Sequence, residues 1–395
     1  MRLIVTYITG RHMKRIEKYR YPLMMLLFAG VSLLLAACSD EQEPDGRQRV
    51  PVELGVYMPS FVDESPTRAA FPPAGYVDYQ TIYGSSGMFR YQANNVGATI
   101  GVFFKPAAEV EPTEGVFTLG VDNKWRANFQ IATGKNYVYG FIPVEDVAPG
   151  LTNVEISSAD YSDGATIKLK GLSTITPSDV CVIVAAARGT SETEVGDGFA
   201  VGNFEYVAEG SGGANNYVFL LFDHLYSGLR FRFSIDSDYN KLRTIKLKEL
   251  RLVGYDGSTI VKDKMDVTVE MKKGASPIKN VSFAPTTGAA DLTEGALLYN
   301  DGPFTLTTTP SDFIGCFAPA VCTQFKLVSI YDVYDKKENL VRKDCKAENR
   351  INIFEIFGKK PERGRLFTLN LTVKPTYLYV LSDPDVDNPT ISISN

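Results

Sequence analysis

Three features of the sequence point to an all-β protein arranged as two β-sandwich domains. Short runs of alternating apolar and polar residues recur, and such runs turn one face of a strand toward a core and the other toward water. Tyr (21) and Phe (23) are abundant, and Gly (33) and Pro (21) punctuate the runs, which suits strands joined by turns. Beyond residue 70 no long amphipathic helical pattern is found. A chain of 395 residues with a 44% hydrophobic share can pack two or three cores.

The chain opens with the basic stretch RHMKRIEKYR (11–20) and an apolar run from Leu23 to Ala37. That run is shorter than the ~20 residues of a membrane span and suits a signal-peptide core. It ends in Leu35-Ala36-Ala37-Cys38, the pattern of a bacterial lipobox, whose cysteine becomes the new N-terminus and carries lipid. A membrane anchor helix is the competing reading, disfavoured by the small residues and the cysteine that close the run. Met13 is an alternative start, since MKRIEKYRYPLMM forms a leader by itself. Residues 1–38 are thus expected to be a lipoprotein signal peptide.

Setting them aside removes Arg2, Arg11, Lys14, Arg15, Lys18, Arg20 and one acid, Glu17, which takes the formal net charge from −5 to −10. So acidic a chain lacks the basic footprint that nucleic acid requires. After Cys38, SDEQEPDG is acidic and poor in apolar residues, which predicts a flexible tether. It is either an ordinary solvated tail or an acidic signal that sends some lipoproteins to the outer face of the outer membrane.

The first strand follows. Val50, Val52, Leu54, Val56 and Met58 alternate with Pro51, Glu53, Gly55, Tyr57 and Pro59, a half-buried β pattern. Next comes SFVDESPT (60–67), with two breakers, acids and no core pattern, and then Arg68 and Ala69. Such a segment reads as an exposed tether that a protease can cut. Arg47 and Arg49 are rival cut sites, but they precede the strand and cutting there would not free it. The plainer alternative makes 50–58 the first strand of a sandwich and Arg68 a solvated residue.

Further strands are read at 98–104, 125–131, 136–143, 165–171 and 179–187 in the first half. Others lie at 216–222, 229–235, 244–253, 265–271, 304–308, 325–333 and 365–381. Turn signals at 162–164, 255–258 and 300–302 separate them. The linker-like EGSGGANN (209–216) sets a domain boundary near 215. The expected layout is signal peptide 1–38, tether and strand 39–68, and sandwiches 69–215 and 216–395.

The chemical inventory is thin. With His12 in the leader, His224 is the one histidine left, which limits base catalysis and makes a zinc site hard to build. A structural histidine at a strand end is the favoured reading. No phosphate loop or nucleophile elbow is present. Asp383, Asp385 and Asp387 in DPDVDNP mimic the start of a calcium loop but lack its glycine and closing glutamate, so a solvated turn is expected. Trp125, the one tryptophan, sits in an alternating stretch and reads as core. Cys181, Cys316, Cys322 and Cys345 remain. Cys316 and Cys322 fit a small disulfide loop across Pro319, and buried free thiols acting as apolar residues are the favoured alternative. No enzyme activity, cofactor or metal is expected.

At the other end Phe367, Leu369, Leu371, Val373, Tyr377, Tyr379 and Leu381 alternate with polar residues, interrupted at Pro375. Ile391 and Ile393 alternate again in the tail.

The chain resembles the fimbrillins, the subunits of protease-assembled (type V) bacterial pili. The resemblance rests on the lipobox with its acidic follower, the early strand before SPTRAAF, and VGATIGVFF. It also rests on FDHLYSGLRFRFSIDSDYNKLRTIKLKELRL and the end VKPTYLYVLSDPDVDNPTI. It implies two transthyretin-like β-sandwiches in tandem and export as an outer-membrane lipoprotein held through lipid on Cys38. It further implies removal of the first strand by an Arg-specific protease at Arg68–Ala69 and assembly by donor-strand exchange. Partners would be other pilus subunits and a host or bacterial surface ligand. Phe367, Leu369, Leu371, Val373, Tyr377, Tyr379, Leu381, Ile391 and Ile393 match the family's donor end. The tail after 381 is short and Pro-interrupted, which leaves stalk, tip and anchor roles open. A permanently lipid-anchored surface module for glycan or host protein, keeping its first strand, is the alternative.

Overall fold

The computed structural model describes residues 48–59, 61–64, 88–90, 98–108, 111–122, 124–127, 129–142, 151, 153–189, 191, 195–196, 198–210, 216–377 and 384–394. For Met58, Pro59, 88–90, Tyr377 and Pro384 only the backbone is described. The chain divides into two units, residues 1–49 and 50–395, and the sheets and cores below belong to the second. Among the described residues no helix is long and apolar enough to cross a membrane. The expected leader, with Cys38, lies outside them, as do Arg68 and Ala69.

In chain order the strands begin with β1 (Arg49–Val50), β2 (Glu53–Pro59), β3 (Val62–Glu64), β4 (Met88–Arg90), β5 (Thr99–Pro106), β6 (Thr113–Leu119) and β7 (Trp125–Arg126). Then come β8 (Ile131–Ala132), β9 (Gly134–Ile142), β10 (Val154–Ser157), β11 (Gly164–Ser173), β12 (Ile175–Thr176), β13 (Cys181–Arg188) and β14 (Glu205–Ala208). After residue 216 follow β15 (Tyr217–His224), β16 (Ser227–Ile235), helix α1 (Ser237–Leu242), β17 (Thr244–Asp256), β18 (Thr259–Ile260), β19 (Lys264–Lys272) and β20 (Ile278–Pro285). The end comprises β21 (Ala296–Tyr299), β22 (Phe304–Thr305), β23 (Ser311–Phe317), β24 (Gln324–Tyr334), β25 (Leu340–Asn352), helix α2 (Ile353–Phe357), β26 (Arg365–Tyr377) and β27 (Pro384–Ser394).

Strands dominate, as composition requires. The first large sheet runs β13-β15-β2-β7-β6-β5-β9-β14, and β13 also pairs with β9. The path therefore closes on itself. Its inner face holds an apolar core that includes Val52, Leu54, Val56, Ile100, Phe104, Phe117 and Leu220. A four-stranded sheet, β10-β11-β19-β20, packs on the other face of β9 and β13 through Ile167, Leu169, Val267, Phe141 and Val182. The sheets β12-β23-β16-β26-β27 and β18-β17-β24-β25 sandwich a third core around Phe231, Phe233, Leu250, Leu327, Leu369 and Leu371.

Pairing crosses the linker-like stretch at 209–216. β15 joins the sheet of the first half, and β19 pairs with β11 along Met265–Lys272. Hydrogen bonding thus does not divide where composition does. Two expected strands shrink: 125–131 yields only Trp125–Arg126 and the first residue of β8, and 304–308 only Phe304–Thr305. Asp383 lies outside the described residues, and the rest of the turn expected at 383–389 is instead the start of β27, where the Asp387 carboxylate accepts from Arg243 Nε (2.9 Å) and its carbonyl oxygen from Arg342 (3.3 Å). Asp387 is thereby tied into the sheet edge rather than left as a solvated turn.

Candidate functional site

The opening strand is the most unusual element in its setting. Val50, Val52, Leu54 and Val56 are buried, so the period-2 pattern turns one face inward as read. The other face is not simply wet. Tyr57 packs edge-on to Phe199 at 5.6 Å and tilts on Phe219 at 5.9 Å. Gly55 lies flat against Phe219, where an added Cβ would stand 2.2 Å from two ring carbons. The strand is gripped on both faces.

Its backbone is gripped unequally. β2 runs parallel to β15, with Glu53 opposite Tyr217 and Tyr57 opposite Leu221, and Glu53 N donates to Asn216 O at 2.8 Å. On its other edge it meets Trp125 at Leu54 and the short β4 at Tyr57–Pro59. Trp125 is core, as expected, and helps to wall the slot.

Of the segment expected to be an exposed tether, the described residues 61–64 are instead built in. Phe61 stacks on His224, ring centroids 4.0 Å apart and planes 19° apart. Val62 N donates to Gly364 O at 2.9 Å, and β3 runs parallel to β26, Val62 opposite Arg365 and Glu64 opposite Phe367. The Glu64 side chain is 4% exposed and faces the Arg365 guanidinium at 2.9 Å and the Lys359 ammonium. Asp63 turns outward, accepting from Thr368 Oγ1 at 3.0 Å and pairing with Arg230 at 3.3 Å. The acids that look like solubility in the sequence are the segment's anchors. The signal available was their position directly after a strand, opposite a basic stretch (359–365) far along the chain.

Beneath Phe61, His224 Nδ1 lies 2.6 Å from Asp179 Oδ2 and 3.7 Å from Cys181 Sγ. These three ligand-type atoms fall within 4.8 Å of one another. Burial pushes the Cys181 thiol well above its ordinary range, with Asp179 adding to the shift. The three side chains pack together at the end of β15, with the His224 ring hydrogen-bonded to Asp179. Next to it, buried Asp223 is paired with Arg363, which also donates to His224 O at 3.3 Å. All four described cysteines are free, and Cys181, Cys316 and Cys322 are buried.

The C-terminal candidates separate into two groups. Phe367, Leu369, Leu371 and Val373 are at most 1% exposed in β26, which is paired on one side with β16 and on the other with β27. Strand β26 is interior and cannot leave as a donor without opening the third core. It also passes through Pro375 with a register shift instead of breaking there. Ile391, buried, and Ile393, half-buried, belong to β27, the edge strand. Tyr379 and Leu381 lie outside the described residues, as do the side chains of Tyr377 and Met58. β27 is held by β26, by Tyr239 OH on Val386 O (2.8 Å) and by Asn349 Nδ2 on Ile391 O (2.9 Å).

No family model and no curated protein matches the chain. Solved structures to which it is similar include a Bacteroides fragilis protein proposed to act in cell adhesion, at 10% identity, covering 87% of this chain and 97% of that one, TM-score 0.36. A fimbrial protein from Bacteroides vulgatus is 12% identical over 88% of this chain and 98% of its own, TM-score 0.34. The fimbrial anchor protein of Porphyromonas gingivalis is 10% identical over 86% and 97%, TM-score 0.24. At such identities and TM-scores the likeness decides nothing about function.

Proposed function

We propose that the chain is the precursor of a bacterial pilus subunit serving adhesion, in which residues 50–64 plug a slot until another strand replaces them. Export proceeds as an outer-membrane lipoprotein through Cys38, an Arg-specific protease cuts after Arg68, and subunits assemble at the cell surface by strand exchange. The two sandwiches are transthyretin-like, 69–215 and 216–395 by composition with β15 of the second stretch added to the sheet of the first, and β27 with Ile391 and Ile393 is the donor element. The protein is not an enzyme.

One observation supports this reading above the others. Removing β2 leaves the sheet connected, since β15 stays paired with β13, β13 with β9, β9 with β5, β5 with β6, and β6 with β7. Among the described residues, β4 loses its partner β2, β8 loses its partner β1, and β26 gives up β3. What opens is an apolar slot beside the unpaired edge of β15, which is a template for another strand. Burying Val50, Val52, Leu54 and Val56 contributes about 1.5–3 kcal/mol each. The sum is an upper estimate, because the unfolded reference already buries part of that surface.

The buried Glu64 ion pairs favour a second reading, a lipid-anchored surface binding module for glycan or host protein that keeps its strand. N-terminal sequencing of surface-extracted protein separates the two: a start at Ala69 supports exchange, and acylated Cys38 throughout supports the anchored module. Arg68→Ala is expected to leave unprocessed monomer. Detergent-resistant ladders formed by that variant would remove Arg68 cleavage as the trigger.

A further inference from the structure

Arg365 is a buried cation at the first position of β26. Its side chain is 9% exposed, and its backbone belongs to β26, between β16 and β3. Glu64 faces it at 2.9 Å, while its other acid, Glu362, stands at 3.8 Å. Lys359, half-exposed, closes on Glu64 from outside. A buried charge without a facing counter-charge is strongly disfavoured, so this end of the slot is not neutral toward what occupies it.

We propose that the Arg365–Lys359 end of the slot is an acid-reading subsite, which accepts a β-strand only when that strand brings a carboxylate to the place of Glu64. The inference rests on the strand-replacement reading above and names what the replacing strand must carry. The occupant is a strand of a different subunit, since β27 of this chain carries no glycine to lie against Phe219. Its register is fixed at two points: a glycine must lie against Phe219, where any Cβ collides with the ring, and the acid must follow at the spacing of Gly55 and Glu64. Charge selects here because both cations are built into this edge. Neither Asn nor Gln can neutralise Arg365, and Lys at that position would add a third cation. Asp63, exposed between Thr368 and Arg230, contributes less, because its pairs are screened by water.

The test uses full-length protein nicked after Arg68 with an Arg-specific protease. Fluorescent synthetic peptides of residues 48–64 are added in excess, and uptake is followed by polarisation. The wild-type peptide is expected to enter, and the Glu64→Gln peptide to bind at least tenfold more weakly. A Glu64→Lys peptide should fail on the wild-type protein and recover on Lys359→Glu protein, a change at a half-exposed side chain that leaves the core intact. Equal uptake of the wild-type and Glu64→Gln peptides overturns the subsite while strand replacement stands. No uptake of any peptide overturns strand replacement and the subsite with it.

Discussion

Replacing Gly55 by alanine tests whether β2 is an independently docked strand. The new Cβ would sit 2.2 Å from Cδ1 and Cε1 of Phe219, whose ring is itself buried between Tyr57 and Gly189. Overpacking of this kind costs about 1–3 kcal/mol. With 1.36 kcal/mol per tenfold, a cost of about 2 kcal/mol makes the undocked state roughly 30 times more populated. Native-state hydrogen exchange reads this directly. Amides of Glu53–Tyr57 and of their partners Tyr217–Leu221 are expected to exchange roughly 30-fold faster, while amides of β26 keep their protection. Adding Phe219→Leu should restore part of the protection by removing the ring edge. If exchange rises equally in β26, β2 is part of one cooperative fold. If nothing changes, the slot is not tight at Gly55. Either result removes the basis for a detachable strand.

Other consequences follow from the same geometry. Leu369→Ala, in the interior of β26, is expected to cost about 2–5 kcal/mol in urea unfolding, whereas Ile393→Ala, half-buried on β27, should cost much less. Equal losses would make β27 as integral as β26. Cys181, Cys316 and Cys322 should resist a thiol reagent in the native protein, with Cys345, half-buried, reacting first. Burial raises the folded pKa of those three thiols and of Tyr331, the latter to about 12. Their contribution to stability is therefore complete below the unfolded thiol pKa of about 8.5 and declines as pH rises above it. Lys105, held low mainly by desolvation, acts in the opposite direction. The urea midpoint should fall between pH 8 and pH 10, and a flat or rising profile would contradict the buried thiols. Arg243→Ala should speed exchange along Pro384–Ile391 by severing the pair with Asp387, without altering exchange in β17.

Most of the strands were legible because alternation is a local property. The runs that became β16, β17, β19, β24 and β26 each carry a periodic apolar face that a core then covered, and β5, β13 and β15 are nearly continuous apolar runs buried on both faces. β25 was not legible. Its sequence, LVRKDCKAENRIN, is charged along much of its length and mostly exposed, because it is an edge strand whose one partner is β24. Charge on such an edge keeps other chains from pairing with it and also erases the pattern by which a strand is recognised. β6 and β20 escaped for a related reason, since exposed residues interrupt their apolar sets.

Within the slot, Val50, Val52, Leu54 and Val56 announced a strand with one buried face, and nothing nonlocal was needed for that. Their neighbours were beyond the reach of local pattern. That β2 lies beside β15, that Glu64 finds Arg365, and that Leu369 is interior while Ile393 lies at an edge depend on backbone pairing between distant segments. Alternation records which way a side chain points. It does not record which strand supplies the hydrogen bonds on either side, because main-chain donors and acceptors are the same at every residue, and only the assembled sheets choose among them.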